Sequence, residues 1–241
     1  LHDDVVDEST LRRGRSTANE AFGNPASVLV GDFLYSRAFQ MMVEADNMRV
    51  MQILAEATNV IAEGEVLQLM NMHDASLNEL DYLRVIRSKT AKLFEASSRL
   101  GAVLSAAPAD IETACATYGQ ALGTAFQVVD DVLDYAGTAA EMGKNLGDDL
   151  REGKATLPLI MAMKLGTSSQ SDLVREAIET GAVTQLSTVV DIVRLTGALE
   201  ATHEAAAQEA QRAIAAAHAL PDNTFTEGLI QLASQLLERR H

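Results

Sequence analysis

Apolar residues recur along the chain at intervals of three and four. Val50, Ile53, Leu54, Ala57, Val60, Ile61, Gly64 and Leu67 make one such stripe, the pattern of an amphipathic helix. The breaker Gly23-Asn24-Pro25 precedes a run from Ser27 to Met42 that predicts a largely apolar helix. Leu80 to Leu104 predicts another, carrying Lys89-Thr90, and Asp110 to Tyr135 a long one that starts after Pro108. Glycines punctuate 137–153, which reads as a loop, and Thr156 to Lys164 resumes helix. Gly166-Thr167-Ser168-Ser169 reads as a turn. Residues 182–219 predict two helices, the second rich in Ala, and Pro221-Asp222-Asn223 introduces a last short one. Strand signals are poor throughout. No linker splits the chain and no solenoid period appears. The expectation is an all-α bundle, one domain over 1–241, with function among side chains facing a central cavity.

Composition agrees with this picture. Of the 241 residues 47% are apolar, enough for a sizeable core, and Ala, Leu, Glu and Gln outweigh Gly and Pro. The net charge of -15 argues against nucleic acid, which needs a basic footprint. It also means that an anionic ligand would be repelled unless a cation intervened. The single cysteine, Cys115, excludes an intrachain disulfide and fits a reducing cytoplasm; a buried small hydrophobe is its expected role. No apolar run reaches the length of a membrane span, so at most peripheral membrane contact is expected, and no signal peptide is visible. Leu1 leads directly into charged residues, an odd natural start, and the sequence reads as lacking an upstream segment.

The candidate chemistry lies in two Asp-Asp-x-x-Asp clusters, Asp3-Asp4-Val5-Val6-Asp7 and Asp130-Asp131-Val132-Leu133-Asp134. On a helix, positions i and i+4 share a face, so Asp3 stands beside Asp7 and Asp130 beside Asp134. Such carboxylates repel one another, more strongly in a cavity than in water, and a bound cation relieves the repulsion. All-oxygen ligands suit Mg²⁺ or Mn²⁺, which keep waters and share phosphate oxygens; the spacing and glycine of a calcium EF-hand are absent. A single acidic pair on a helix is usually a solvated face. Two copies in apolar helices, the second amid Phe126, Val128, Val129, Val132 and Leu133, are not explained that way. Arg12 and Arg13 follow the first cluster by one to two helical turns, and Lys89, Lys144 and Lys154 are further candidates for an anion. Glu200-x-x-His203 and Glu238-x-x-His241 match a di-iron spacing, but bridging glutamates are not identified.

These residues resemble the trans-isoprenyl diphosphate synthases. Leu1-His2-Asp3-Asp4-Val5-Val6-Asp7-Glu8-Ser9 through Arg12-Arg13-Gly14 looks like the family's first aspartate-rich motif, and Gly123 through Tyr135 like the second. The stretch from Gly143-Lys144-Asn145 to Gly153-Lys154-Ala155-Thr156-Leu157-Pro158 is similar to the loop that follows. Residues 21–33 and 61–69 are most similar to the long-chain bacterial branch. The resemblance implies an isoprenoid-synthase-type helical bundle, a homodimer and Mg²⁺. It implies condensation of isopentenyl diphosphate onto an allylic diphosphate such as farnesyl diphosphate, giving a long-chain all-trans product of octaprenyl length for quinone side chains. By motif, Asp3, Asp4, Asp7, Asp130, Asp131 and Asp134 would hold the metals, directly or through water. Arg12, Lys89, Lys144 and Lys154 would contact the allylic diphosphate and Arg13 isopentenyl diphosphate. Thr90 and Gln127 would sit beside the reacting carbons.

The family's upstream Gly-Gly-Lys-Arg-type motif and its His do not appear in this sequence. A molecule without them is expected to have little or no condensation activity and to leave Leu1–Asp7 without a hold. Two rival functions follow the same motifs, a terpene cyclase and a non-catalytic subunit of a heteromeric synthase. The second full aspartate cluster and the Lys144 loop oppose the first rival, and the intactness of both clusters opposes the second.

Overall fold

The computed structural model describes residues 1–12, 14–136, 147–181 and 183–238. They form a helical bundle. A short α1 (His2–Val6) leads into a two-residue hairpin of β1 (Leu11–Arg12) and β2 (Arg15–Ser16), then α2 (Ala18–Phe22) and the long α3 (Asn24–Glu44) and α4 (Met48–Met70). Next come α5 (Glu79–Ile86), a π turn (Arg87–Ala91), α6 (Lys92–Leu104) and α7 (Ala109–Ala136). The remainder is α8 (Asp148–Arg151), α9 (Leu157–Leu165), α10 (Ser168–Thr180), α11 (Leu186–Leu195), α12 (Ala198–Ala217) and α13 (Thr224–Leu236).

Local chemistry fixes most of the boundaries. Asn47, Asn78 and Asn223 cap α4, α5 and α13 by accepting from backbone N–H groups of the first turn. Thr167 and Gln170 form a capping box at the start of α10. The sequence reading of Gly166–Ser169 as a turn therefore holds only to Thr167: Ser168 and Ser169 are already helical, and α10 went unread. Its apolar positions are few; Val174, Ala177 and Ile178 alone are buried. The hairpin is the other departure. Arg12 lies on β1 and not on a continuation of α1, because the chain leaves the helix at Asp7.

The stretch read as one helix over Leu80–Leu104 widens in its middle into the π turn. This wider turn re-aims the side chains it carries. Glycines on two neighbouring helices let it sit close. A Cβ on Gly64 of α4 would lie 2.7 Å from the backbone nitrogen of Lys89, and one on Gly123 of α7 2.7 Å from the Cα of Ala91.

α7 is the central helix. It packs against α6, the π turn and α12, and α4 lies on the far side of α6. Its side chains Val128, Val129, Val132, Leu133 and Tyr135 are all buried. One core joins Val128, Val129, Leu133 and Tyr135 to Leu150, Leu157, Val174, Ile178, Val189 and Val193. A second core surrounds Tyr118, whose hydroxyl donates to the Leu229 carbonyl at 2.9 Å. The alanine-rich α12 buries Ala198, Ala206, Ala210, Ala213 and Ala217, small side chains that admit α7 closely. Cys115, expected to be buried, is only half-buried.

Leu1 and His2 fasten the start of α1 to α3. Ser27 Oγ donates to the Leu1 carbonyl at 3.1 Å, and His2 Nε2 lies 3.0 Å from the Val28 carbonyl and 3.1 Å from Asp32 Oδ1. α3 itself exposes Leu29, Val30, Phe33, Leu34, Tyr35 and Met41. Among the described residues, no helix is long and apolar enough to cross a membrane.

Candidate active site

A cavity of about 290 Å³ opens between α1, α4, α5 with its π turn, α7 and the segment before α9. Its walls bring together residues that the sequence scatters: Asp3, Asp7 and Arg12 from the first motif, Lys89 and Thr90 from the π turn, Gln127, Asp130 and Asp131 from α7, and Lys154. Asp4 and Asp134 are not in the lining. Asp4 is buried and accepts from Arg12 at 2.8 Å and 2.6 Å, so it braces that guanidinium. Asp134 is fully buried and its Oδ2 accepts from the Asp149 backbone N–H at 3.4 Å, which ties α8 to α7. Arg13 and Lys144 lie outside the described residues, as do residues 137–146 of the glycine loop and His241 of the second Glu-x-x-His pair. Glu200 and His203 sit in an outer cleft with Val132 and Leu199, away from this cavity.

The cavity also holds residues given no role by the sequence: Gln68, Asn71 and Tyr82, with Asp149 and Thr156 from the stretch similar to the family's loop, over an apolar floor of Leu77, Val85, Ile86 and Ala155. A faint signal existed for some. Glu65, Gln68 and Asn71 follow one another at intervals of three along α4, a polar line beside its apolar stripe.

Cations and carboxylates face each other across the opening. Lys89 Nζ stands 2.8 Å from Glu65 Oε2 and 3.3 Å from Asp3 Oδ1. Lys154 Nζ is bonded to Glu152 and stands 3.4 Å from Asp7 Oδ2. Burial works against the charge on Lys154, but Asp149, Glu152 and Asp7 more than offset it, so its pKa is raised and it stays protonated. Burial raises Glu65 and Glu152, each opposed only in part by its lysine. Burial, then the charge of Asp149, pushes Asp131 up to about 8, against the pull of donors from Tyr82 and Gln127. Burial and Asp131 raise Tyr82, which keeps its proton and acts as a donor.

The donor set suits a hard divalent cation. Asp3, Asp7, Asp130 and Asp149 supply only oxygen. Among the described residues, no three His, Cys, Asp or Glu side chains converge tightly enough to hold an ion by themselves. That spacing fits a divalent ion that takes part of its coordination from waters and ligand oxygens, and does not fit a closed protein cage.

Comparison with known proteins agrees with this arrangement. The family model described as Polyprenyl synthetase matches residues 1–194. Octaprenyl diphosphate synthase of Escherichia coli (strain K12) is 52% identical over 99% of this chain and 74% of its own length. The all-trans-nonaprenyl-diphosphate synthase (geranyl-diphosphate specific) of Rhodobacter capsulatus is 46% identical over 99% of this chain and 73% of its own. Among solved structures, the polyprenyl synthase from Caulobacter crescentus CB15, complexed with calcium and isoprenyl diphosphate, superposes with a TM-score of 0.95 at 45% identity, covering 100% of this chain and 74% of that one. With its motifs gathered on one cavity and its match extending over most of its length, the chain belongs to the polyprenyl synthetase family.

Proposed function

We propose that this chain is the prenyltransferase domain of a synthase that condenses isopentenyl diphosphate onto an allylic diphosphate such as farnesyl diphosphate. The product is a long-chain all-trans polyprenyl diphosphate, of octaprenyl length, for quinone side chains. The observation that carries this reading is the shared cavity. Carboxylates of both aspartate motifs open onto it, with Arg12, Lys89 and Lys154 among them and Thr90 and Gln127 on its wall. The 52% identity to an octaprenyl diphosphate synthase supports the product length.

Asp3, Asp7 and Asp130 would hold Mg²⁺ (or Mn²⁺), which bound there with the substrate supplies positive charge to the departing diphosphate. Asp4 and Asp134 would act behind them, by holding Arg12 and the Asp149 segment. Lys89, Lys154 and Arg12 bind the allylic diphosphate and meet the charge that grows on it as the carbon–oxygen bond breaks. The electron pair of that bond leaves with the diphosphate. Thr90 Oγ1 and Gln127 Oε1 lie beside the allylic centre that is left electron-poor. The double bond of isopentenyl diphosphate attacks that centre, a carbon–carbon bond forms, and a proton is lost to the released diphosphate, so no strong protein base is needed. The apolar floor excludes water that would otherwise capture the cation.

A homodimer and a cytoplasmic place of action belong to the same reading. The exposed apolar side chains of α3 support the first, and the lone free Cys115 the second. The test is to incubate the intact protein with farnesyl diphosphate, labelled isopentenyl diphosphate and Mg²⁺, and to size the dephosphorylated products. A polyprenol of eight isoprene units is expected. No incorporation, even with an upstream segment carrying the family's Gly-Gly-Lys-Arg-type motif supplied, would end the proposal, and a cyclic hydrocarbon from farnesyl diphosphate alone would replace it with a cyclase.

A further inference from the structure

Four side chains from three helical elements form one directed chain of hydrogen bonds. Tyr82 Oη donates to Asp131 Oδ2 at 2.6 Å, Gln127 Nε2 donates to Asp131 Oδ1 at 2.9 Å, and Thr90 Oγ1 donates to Gln127 Oε1 at 2.9 Å. Tyr82 and Asp131 are each only 3% exposed. We infer that Asp131 is a positioning residue, held by Tyr82, that fixes which end of the Gln127 amide faces the cavity, and that it is not a direct ligand of the metal.

The inference rests on the proposed reaction and deepens it. A primary amide fits its slot in two orientations that differ little in shape but exchange a donor for an acceptor. Tyr82 donates to Oδ2, and Oδ1 of Asp131 is the acceptor that faces the amide, so Asp131 takes the Nε2 end and disfavours the Oε1 end. Oε1 is thereby turned toward Thr90 and the cavity, the orientation that stabilises an electron-poor carbon; the reversed amide would present N–H groups to it. Gln127 and Asp131 are i and i+4 on α7, so the backbone itself sets their distance. Tyr82, from α5, takes the other carboxylate oxygen and stops the carboxylate from rotating away. Asp131 lines the cavity beside Asp130, yet both of its oxygens are engaged by protein donors and its side chain is buried.

The test uses Tyr82→Phe and Asp131→Asn in the intact protein. Each is assayed with farnesyl and isopentenyl diphosphates over a range of Mg²⁺ concentrations. Each is also melted with and without Mg²⁺ plus farnesyl diphosphate. Tyr82→Phe is expected to lower kcat about tenfold, the effect of a lost orienting bond. The KM values and the half-saturating Mg²⁺ concentration should stay within about twofold of the original. Asp131→Asn is expected to lower kcat and to keep both the Mg²⁺ requirement and the ligand-induced rise in Tm. A wild-type kcat in Tyr82→Phe would overturn the inference. So would a tenfold greater Mg²⁺ requirement in Asp131→Asn, or loss of its ligand-induced Tm rise. If Tyr82→Phe does not fold, Asp131→Asn decides alone. Absence of condensation by the unsubstituted protein would fall on the proposed function, and the melting experiment would still report whether Asp131 binds the metal.

Discussion

A Cβ placed on Gly64 would stand 2.7 Å from the backbone nitrogen of Lys89, so α4 and the π turn touch with no room for a methyl group. Gly64→Ala must push apart the two elements that carry Glu65, Gln68, Lys89 and Thr90. The expected cost is about 1–3 kcal/mol of stability, with a fall in turnover larger than the same loss of stability would cause elsewhere. Gly101, on α6, has nothing within 4 Å of a Cβ and serves as the control. There the change to Ala should raise stability by up to about 1 kcal/mol and leave activity alone. Thermal melts and steady-state rates of the two variants check both statements.

Asp130 lies on the cavity wall, next to carboxylates of its own sign. Asp130→Ala is expected to lower kcat by about 10²–10³-fold, the scale of losing one electrostatic partner of a developing charge. The loss of stability should be far smaller than the loss of rate. Equal losses in rate and in Tm would mark Asp130 as a structural residue.

Lys154 reaches the cavity from a turn anchored by the fully buried Leu150, and its amide donates to the Asp149 carbonyl at 2.9 Å. Lys154→Met removes one charged hydrogen-bond partner of the diphosphate, worth about 1.5–3 kcal/mol. The KM for the allylic substrate should rise about tenfold or more. Inorganic diphosphate should inhibit the variant correspondingly less well, which an inhibition titration measures.

Glu112 on α7 ties two neighbouring helices together, 2.7 Å from both Arg49 of α4 and Arg99 of α6. Hydrogen bonds from Arg99 and then Arg49 hold its carboxyl below the usual range. A lowered folded-state pKa gives stability that is present above the ordinary glutamate value and lost as pH falls through the lowered one. Glu112→Gln should therefore lower the Tm at pH 7 by about 1–3 °C. The difference should begin to shrink as pH falls past the ordinary glutamate value and vanish below the lowered one. Melting curves of both proteins across that range are the measurement.

The long elements were legible because their apolar spacing is decided by the helix period alone. The stripe that opens on Val50 and the apolar surroundings of Asp130 both mark helices that the structure contains, α4 and α7. The π turn was not legible. Arg87-Ser88-Lys89-Thr90-Ala91 has an ordinary helical composition, and what permits the wider turn is the pair of glycines on α4 and α7, distant in sequence. α10 was missed because a polar helix on the rim of a core needs few apolar residues. In the site, the two aspartate motifs, Lys89 and Lys154 could be named in advance because charge clusters in apolar helices demand a reason. Tyr82 could not, because a buried tyrosine is a common core residue until its hydroxyl is seen against Asp131. Nor could sequence separate Asp4 and Asp134 from their neighbours. One helical turn decides which carboxylate meets the cavity and which meets Arg12 or the Asp149 amide.

The Lys89–Asp3 and Lys154–Asp7 contacts bear on the order in which the site fills. Each ammonium of the site stands between two carboxylates, Lys89 between Glu65 and Asp3 and Lys154 between Glu152 and Asp7. Diphosphate arriving alone would take the lysines and leave Asp3 and Asp7 without them; a metal arriving alone would take the aspartates and leave each lysine only its glutamate, Glu65 or Glu152. The two together replace each lysine–aspartate contact with an external partner on both sides. For the proposed chemistry the site thus favours the metal–diphosphate complex, arriving as one body, over either half.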